Sequence, residues 1–155
     1  MTLSTVTHDT FVLERTYNVP VTQVFQAWAD PTLKARWFAG SAEALEAGYE
    51  LDFRVGGHEV NRAGPPGAPV YTYESQFRDI IPEQRIVYTY EMFADETRIS
   101  VSVATVQFRR QEATTRLVLT EQGVFLDGHD TAAQREEGTR SLLDSLGAIV
   151  NGGGS

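Results

Sequence analysis

The chain carries three histidines, His8, His58 and His129, the side chains best suited to proton transfer near neutral pH. His8 lies close to the amino terminus, where we expect it to be exposed. His58 precedes Glu59 in a predicted strand, and adjacent strand residues point to opposite faces, so this pair is not spaced for joint catalysis. On a regular strand Arg54 and His58 share a face. They would either line a cavity that holds an anionic or hydroxylated ligand or lie on a solvated face, which is the commoner arrangement.

A second group of side chains that could do chemistry lies in the segment EQGVFLDGHD. Glu121, Asp127, His129 and Asp130 all have ligand atoms for a metal, but their spacing matches neither a zinc nor a calcium loop. A turn that leads into the last helix, capped by Asp130 or Thr131, explains the same residues. The sequence therefore predicts no metal site, and we expect no cofactor.

Other common catalytic arrangements are missing from the sequence. The chain has no cysteine, which excludes disulfides, thiol nucleophiles and thiolate metal ligands. Gly56 and Gly57 are followed by no lysine and open no predicted helix, so they do not form a phosphate-binding loop. No serine lies in a G-x-S-x-G setting. Sequence motifs therefore assign no catalytic centre.

The charge of the chain limits the classes of partner. The formal net charge is −8, from 21 acidic and 13 basic residues, which disfavours binding to nucleic-acid phosphates and to anionic membrane surfaces. No apolar run is long enough to span a bilayer, and none at the amino terminus is typical of a signal peptide. We therefore expect a cytoplasmic protein that binds neither nucleic acid nor membrane.

Tyrosines follow a period of two along two predicted strands, with Tyr71 and Tyr73 on one and Tyr88 and Tyr90 on the next. Each pair therefore faces one side of the sheet. Phenols on a concave wall would combine an apolar surface with hydrogen-bonding tips, which suits aromatic ligands. Cross-strand aromatic pairing that stabilises the hairpin explains the pattern equally well, and both interpretations stay open.

The elements that would position these residues begin with a strand at residues 10–17 and two short helices in VPVTQVFQAWADPTLKARWFAG. Asp30 is placed to cap the second helix and Gly40 to end it. Leu33 and Trp37 share a face of that helix. The first helix carries an apolar stripe at i, i+3, i+4 and i+7 spacing, made of Val21, Val24, Phe25 and Trp28.

After Gly48 the pattern changes to strands. LDFRV, residues 51–55, alternates and predicts a strand, the double glycine predicts a bulge or turn, and RAGPPGAP at residues 62–69 predicts a loop. Four further segments predict an antiparallel meander: VYTYESQFRDI, RIVYTYEMF, ISVSVATVQFRR and TRLVLTEQG. An amphipathic helix follows from about Asp130. This order predicts one α+β domain at residues 1–150 and a disordered, Gly-rich tail at 151–155.

Taken together, these segments resemble the SRPBCC or START-like superfamily, and specifically bacterial proteins similar to the C-terminal domain of the heat-shock-protein-90 ATPase activator. The resemblance covers nearly the whole chain and rests on the helical segment quoted above and on DFRVGG, IIPEQRIVYTYE, LTEQGVFLDG and REEGTRSLLDSLGAIV. It implies a helix-grip fold, in which a curved antiparallel sheet wraps around the long C-terminal helix and two short helices close one end. The chain departs from the family pattern at Ser75, often glycine in members, and at Thr139, often tryptophan.

The resemblance also implies a cavity between sheet and helix that holds a small apolar or aromatic molecule in many members. We expect Trp28 to be a core residue, and Trp37 to be either a core residue or a wall at the cavity mouth. The candidate cavity residues are Trp37, Arg54, His58, Tyr71, Tyr73, Tyr88, Tyr90 and Glu121.

The leading functional hypothesis is a small-molecule binding protein, and two alternatives stay open. One is an enzyme similar to polyketide cyclases acting on an aromatic substrate, with Arg54, His58 or Glu121 as polar anchor or acid/base. The other is a protein-interaction domain similar to the chaperone ATPase co-activator, whose partner would be a chaperone. A homodimer is compatible with the exposed edge strands that such a sheet has.

Overall fold

The computed structural model describes residues 3–41, 48–64 and 66–151. Seven strands form one antiparallel sheet in the order β1-β7-β6-β5-β4-β3-β2. The strands are β1 (Val6–Tyr17), β2 (Tyr49–Leu51), β3 (His58–Ala63), β4 (Tyr71–Ile81), β5 (Arg85–Ala94), β6 (Thr97–Gln111) and β7 (Thr114–Leu126). The helices are α1 (Val21–Ala29), α2 (Pro31–Phe38) and α3 (Ala132–Asn151). The predicted α+β helix-grip architecture is confirmed.

The sheet curves around the long C-terminal helix. Consecutive strands pair from β2 to β7, and β1 pairs with β7 along its whole length. The ladders shift register between Phe77 and Asp79 and between Met92 and Phe93. Irregularities of this kind bend strands and increase their twist. The α3 helix contacts β1, α1 and α2, so the two short helices close one end of the space between helix and sheet.

The core occupies the concave face and follows the period of two. On β6, Ala104, Val106 and Phe108 are buried, whereas Val101 and Val103 on the opposite face are 39% and 38% exposed. Successive strand residues point to opposite faces, so each strand contributes every second side chain to the core. The α3 helix closes the core with Leu143, Leu146 and Val150.

Side chains at the helix ends explain where two helices begin. The Asp30 side chain accepts hydrogen bonds from the backbone N–H groups of residues 32 and 33 at 2.9 and 3.1 Å, so the predicted cap of α2 is confirmed. Of the two residues predicted to cap α3, Thr131 does so, because its Oγ1 accepts from the backbone N–H of Gln134 at 3.1 Å. Gly40, with φ of 92°, follows the last residues of α2 as predicted.

The strand predicted for LDFRV is wrong, because β2 ends at Leu51. The following residues form a turn in which the N–H of Arg54 donates to the carbonyl of Asp52 at 3.0 Å and the N–H of Gly57 to the carbonyl of Arg54 at 2.8 Å. Both glycines are needed there. Gly56 has φ of 86°, and a Cβ on Gly57 would lie 2.1 Å from the Asp52 carbonyl oxygen.

Three boundaries also differ from the sequence-based prediction. The β1 strand begins at Val6 rather than residue 10, and β3 extends to Ala63, inside the predicted loop, of which residue 65 lies outside the described residues. Asn151 belongs to α3 rather than to a disordered tail, since its Oδ1 accepts from the backbone N–H of Asn18 at 2.8 Å. Residues 152–155 lie outside the described residues.

Two further properties hold for the described residues, 3–41, 48–64 and 66–151. None of the helices in these parts of the chain is both long and apolar enough to cross a bilayer. Within the same residues, no three His, Asp or Glu side chains converge in a way that could hold a metal ion.

Two glycines within α3 provide a test of its packing. A Cβ at Gly138 would meet no heavy atom within 4 Å, whereas one at Gly147 would lie 3.3 Å from Cε1 of Tyr17. Because glycine in a helix interior costs about 0.5–1 kcal/mol relative to alanine, Gly138→Ala is expected to raise the free energy of unfolding by about that amount. Gly147→Ala should gain less, since the Tyr17 ring must move and its Oη is held by the Leu143 carbonyl at 2.9 Å.

Urea unfolding of both variants measures the difference. An equal gain in the two variants would contradict the close packing of Tyr17 against α3.

Candidate ligand-binding cavity

A cavity of about 360 Å³ lies between α3 and the concave face of the sheet. Six aromatic side chains contribute to its wall: Trp28, Trp37, Phe38, Tyr73, Tyr88 and Tyr90. Six polar or charged residues also line it, namely Asn61, Glu121, Asp130, Gln134, Arg135 and Thr139. The cavity therefore combines a broad apolar surface with a small set of polar groups.

The aromatic wall is held together by edge-to-face and tilted ring contacts. The ring centroids of Trp28 and Trp37 lie 4.9 Å apart, those of Phe38 and Tyr73 lie 5.0 Å apart, and those of Tyr73 and Tyr90 lie 4.8 Å apart. Such pairs add stability beyond the area that they bury. Contacts of each ring with the next give the wall a defined shape.

The local structure explains how these rings converge. Trp28 ends the apolar stripe of α1, and the Asp30 cap turns the chain so that Trp37 on α2 meets it. Trp37 is fixed further by its Nε1–H, which donates to the Ala27 carbonyl at 2.9 Å. On the sheet, Tyr88 and Tyr90 follow the period of two along β5 and therefore share the concave face.

A network of polar side chains occupies the end of the cavity next to the start of α3. Arg135 donates from Nη1 to Tyr90 Oη at 3.0 Å, and from Nη2 to Ser100 Oγ at 2.9 Å and Asp130 Oδ2 at 2.7 Å. Tyr90 in turn donates its hydroxyl proton to Glu121 Oε1. These bonds connect a buried carboxyl on β7 to the first turns of α3.

Burial changes the titration of this network. It raises the pKa of Glu121, and the hydrogen bond from Tyr90 and the charge of Arg135 oppose that rise only in part. Burial also raises the pKa of Tyr73, Tyr88 and Tyr90 above the ordinary phenol value. The three phenols therefore stay protonated at neutral pH, and a ligand would meet hydroxyl groups and one carboxyl of altered acidity.

Behind the aromatic wall lies a second polar cluster that is almost completely buried. Lys34, Glu59 and Tyr49 are 2%, 1% and 1% exposed. The Lys34 Nζ lies 2.9 Å from Glu59 Oε2, which also accepts from the Tyr49 hydroxyl at 2.5 Å. Burial lowers the pKa of Lys34, and the nearby Glu59 carboxylate opposes this. Burial and the same carboxylate raise the pKa of Tyr49.

This cluster supports the wall directly. The Lys34 Nζ lies 4.9, 5.2 and 4.5 Å from the ring centroids of Trp28, Trp37 and Phe38, each of which lines the cavity. Ammonium groups are attracted to aromatic faces at these distances. The ion pair therefore contacts three rings of the wall and helps to hold them in place.

Five of the eight candidate residues come together at the cavity: Trp37, Tyr73, Tyr88, Tyr90 and Glu121. Trp37 is both a buried core residue and a wall, so the two interpretations given for it are compatible. Trp28, expected in the core, is 3% exposed and also forms part of the wall. The alternation of residues along β4 and β5 was the sequence signal that predicted Tyr73, Tyr88 and Tyr90 as cavity residues.

The structure places the other three candidates away from the cavity. Arg54 lies in the turn after β2, with Nε 2.8 Å from Asp52 Oδ2, and its side chain is 76% exposed. His58 is exposed on the opposite face of the sheet, where Gln76 lies beside it in the register. Tyr71 is the first residue of β4 and is 45% exposed. Residues that alternation places on the same face as the cavity do not reach it where the strand has already ended, as at Arg54.

Sequence reasoning missed Arg135 and Thr139 as cavity residues and the Lys34–Glu59 pair. The apolar stripe of α3, extended towards its amino terminus at helical spacing, passes through Thr139 and Arg135, so a signal was present. Lys34 carries no such signal, because lysine is almost never fully buried unless it is paired. Its partner lies 25 residues away in the sequence.

Several solved structures share this fold. A crystal structure of a Rhizobium loti protein matches with a TM-score of 0.86 and 44% identity, covering 93% of this chain and 98% of that chain. A Rhizobium leguminosarum protein matches with a TM-score of 0.89 and 42% identity over 96% and 98% of the two chains. A protein in the dynemicin biosynthetic locus shares the fold at 15% identity and a TM-score of 0.65, covering 91% of this chain and 46% of that chain. A search of curated proteins finds no match.

The curved antiparallel sheet around a long C-terminal helix defines an α+β protein of helix-grip type. Residues 18–151 match the model of the family described as activator of Hsp90 ATPase homolog 1-like protein, and the chain belongs to that family.

Proposed function

We propose that this protein binds a small apolar or aromatic molecule in the cavity between α3 and the sheet. The composition of the cavity carries the proposal, since six aromatic side chains and a few polar groups surround about 360 Å³. Ligand sites typically have walls of this kind and volumes of about 300–1,000 Å³. Apolar burial would supply most of the affinity, and the polar end would orient the ligand.

The proposal predicts that Thr139→Trp weakens binding without unfolding the protein. Thr139 lines the cavity from the middle of α3, and its Oγ1 donates to the carbonyl of Arg135 in the same helix at 2.9 Å. An indole at this position would extend into the cavity and occupy the space that a ligand needs. The measurement is a titration with N-phenyl-1-naphthylamine, a neutral probe whose fluorescence rises in apolar surroundings, together with thermal unfolding.

The wild-type protein is expected to give a saturable rise and a higher melting temperature, and Thr139→Trp a binding constant weaker by about tenfold or more. The matched control is Ser141→Trp, which adds the same side chain at an exposed position of α3 and should retain binding. Absence of saturable binding to the wild-type protein, or equal binding by Thr139→Trp, would count against a ligand cavity. The first of these results would favour a role in contacts with another protein.

A further inference from the structure

The positive charge at the cavity is already satisfied by the protein. Among the described residues that line the cavity, Arg135 is the one cationic side chain. Its Nη2 lies 2.7 Å from Asp130 Oδ2 and 2.9 Å from Ser100 Oγ, and its Cζ lies 5.5 Å from the ring centroid of Tyr90 and 5.4 Å from that of Phe125. Asp130 already balances the charge of this guanidinium, so a carboxylate on a ligand would meet a paired cation and could gain only from the N–H groups that Asp130, Ser100 and Tyr90 leave over.

Glu121 offers the opposite chemistry. It is 3% exposed and lines the cavity, and its two contacts with Tyr90 and Arg135 are both made through Oε1, the second at 4.0 Å. Among the described residues no hydrogen bond is made to Oε2, so this oxygen is the acceptor available to a ligand in the cavity. A buried carboxyl of this kind is best satisfied by a donor, because leaving it unpaired is costly.

The balance of charge points in the same direction. Glu121 and Asp130 together outnumber the single guanidinium of Arg135 at this end of the cavity. A carboxylate ligand would bring a third anion into a site of low dielectric constant, where repulsion between like charges is strong. The faces of the six aromatic rings in the wall carry partial negative charge, so they attract the positively polarised hydrogen of an N–H or O–H group and repel an anion.

We infer that the ligand is an aromatic compound bearing a hydrogen-bond donor, a phenolic hydroxyl or an amine, that Glu121 accepts from this donor, and that the cavity rejects the corresponding carboxylate. The inference rests on the proposed function, because it assigns the polar group of a ligand whose rings the aromatic wall holds. It makes Glu121 the residue that determines specificity.

Three two-ring probes of similar size test this inference by calorimetric titration at pH 7: 2-naphthol, 2-naphthylmethylamine and 2-naphthoate. The alcohol and the amine are expected to bind about tenfold or more tightly than the carboxylate, the difference that one hydrogen bond to a charged group provides. The ratio between the alcohol and the amine distinguishes the two donor classes. Glu121→Gln, which keeps the shape but removes the charge, should reduce the preference to below about threefold.

The matched control is Glu137→Gln, which removes the same charge from an exposed position of α3 and should keep the full preference. Equal binding of 2-naphthoate and 2-naphthol to the wild-type protein would overturn the inference and leave the proposed function standing. An unchanged preference in Glu121→Gln would overturn the role of Glu121. If none of the three probes binds, the proposed function fails and the inference fails with it. The wild-type order of affinities decides the question even if a variant does not fold.

Discussion

Glu59→Gln is expected to lower the free energy of unfolding by about 3–5 kcal/mol, because it leaves the Lys34 ammonium buried without its counter-charge. The two side chains are 1% and 2% exposed, and Nζ lies 2.9 Å from Oε2. Solvent cannot replace the lost carboxylate at this depth. Urea unfolding at pH 7, followed by the emission of Trp28 and Trp37, measures the loss.

The loss should shrink as the pH rises. Burial already lowers the pKa of Lys34 in the folded protein, and removing Glu59 lowers it further. Between the folded and the unfolded pKa the unfolded chain binds the additional proton, so the stability of Glu59→Gln rises as the pH increases towards the ordinary lysine value. A loss that is independent of pH between 7 and 10 would show that the charge of Lys34 is not its cause.

The control is the double variant Lys34→Met/Glu59→Gln. Methionine removes the charge and packs well against the three rings that surround Lys34 Nζ. The amide that replaces Glu59 can still accept from the Tyr49 hydroxyl. The double variant should recover at least about 2 kcal/mol of the loss, since replacing a buried pair by neutral groups is often nearly neutral in free energy. A double variant no more stable than Glu59→Gln would contradict the coupling of the two residues.

The strands and the aromatic wall could be predicted because both follow local periodicity. Alternation along residues 85–94 places Tyr88 and Tyr90 on one face of the sheet whatever their partners are, since a strand residue and its next-but-one neighbour share a face. That this face is the concave one follows from the structure. The same rule failed at LDFRV. Alternation shows which face a side chain would take if a strand formed, but the ladder ends where Gly56 and Gly57 allow the chain to turn.

The polar contacts could not be predicted, because they join residues far apart in the sequence. Arg135 meets Tyr90 across 45 positions and Ser100 across 35, and both contacts depend on how α3 lies over β5 and β6. Asp130 illustrates the difficulty. Its position in the sequence suits a helix cap, whereas in the structure its side chain pairs with Arg135, one turn into the helix. Sequence spacing constrains neighbours within one element, whereas the site is built between elements.

Trp28→Ala is expected to destabilise the protein by about 3–5 kcal/mol and to leave a void that a small aromatic molecule can fill. Trp28 is 3% exposed and contacts Trp37 and Phe108 at centroid distances of 4.9 and 6.3 Å. Its Nε1 has no hydrogen-bond partner among the described residues, so the loss comes from packing. Because Trp28 also forms part of the cavity wall, the void opens into the cavity.

Indole should therefore restore part of the lost stability. A ligand that binds only the folded state stabilises it by RT ln(1 + [L]/Kd), so tighter binding to Trp28→Ala should make its melting temperature rise more steeply with indole than that of the wild type. The matched control is Leu146→Ala, which removes a fully buried side chain that does not line the cavity and costs about 2–5 kcal/mol. Because Leu146 does not line the cavity, its removal leaves the aromatic wall unchanged, and the response of this variant to indole should equal that of the wild type. The same slope in all three proteins would mean that the space left by Trp28 is closed off from the cavity, and the aromatic wall would then be core rather than binding surface.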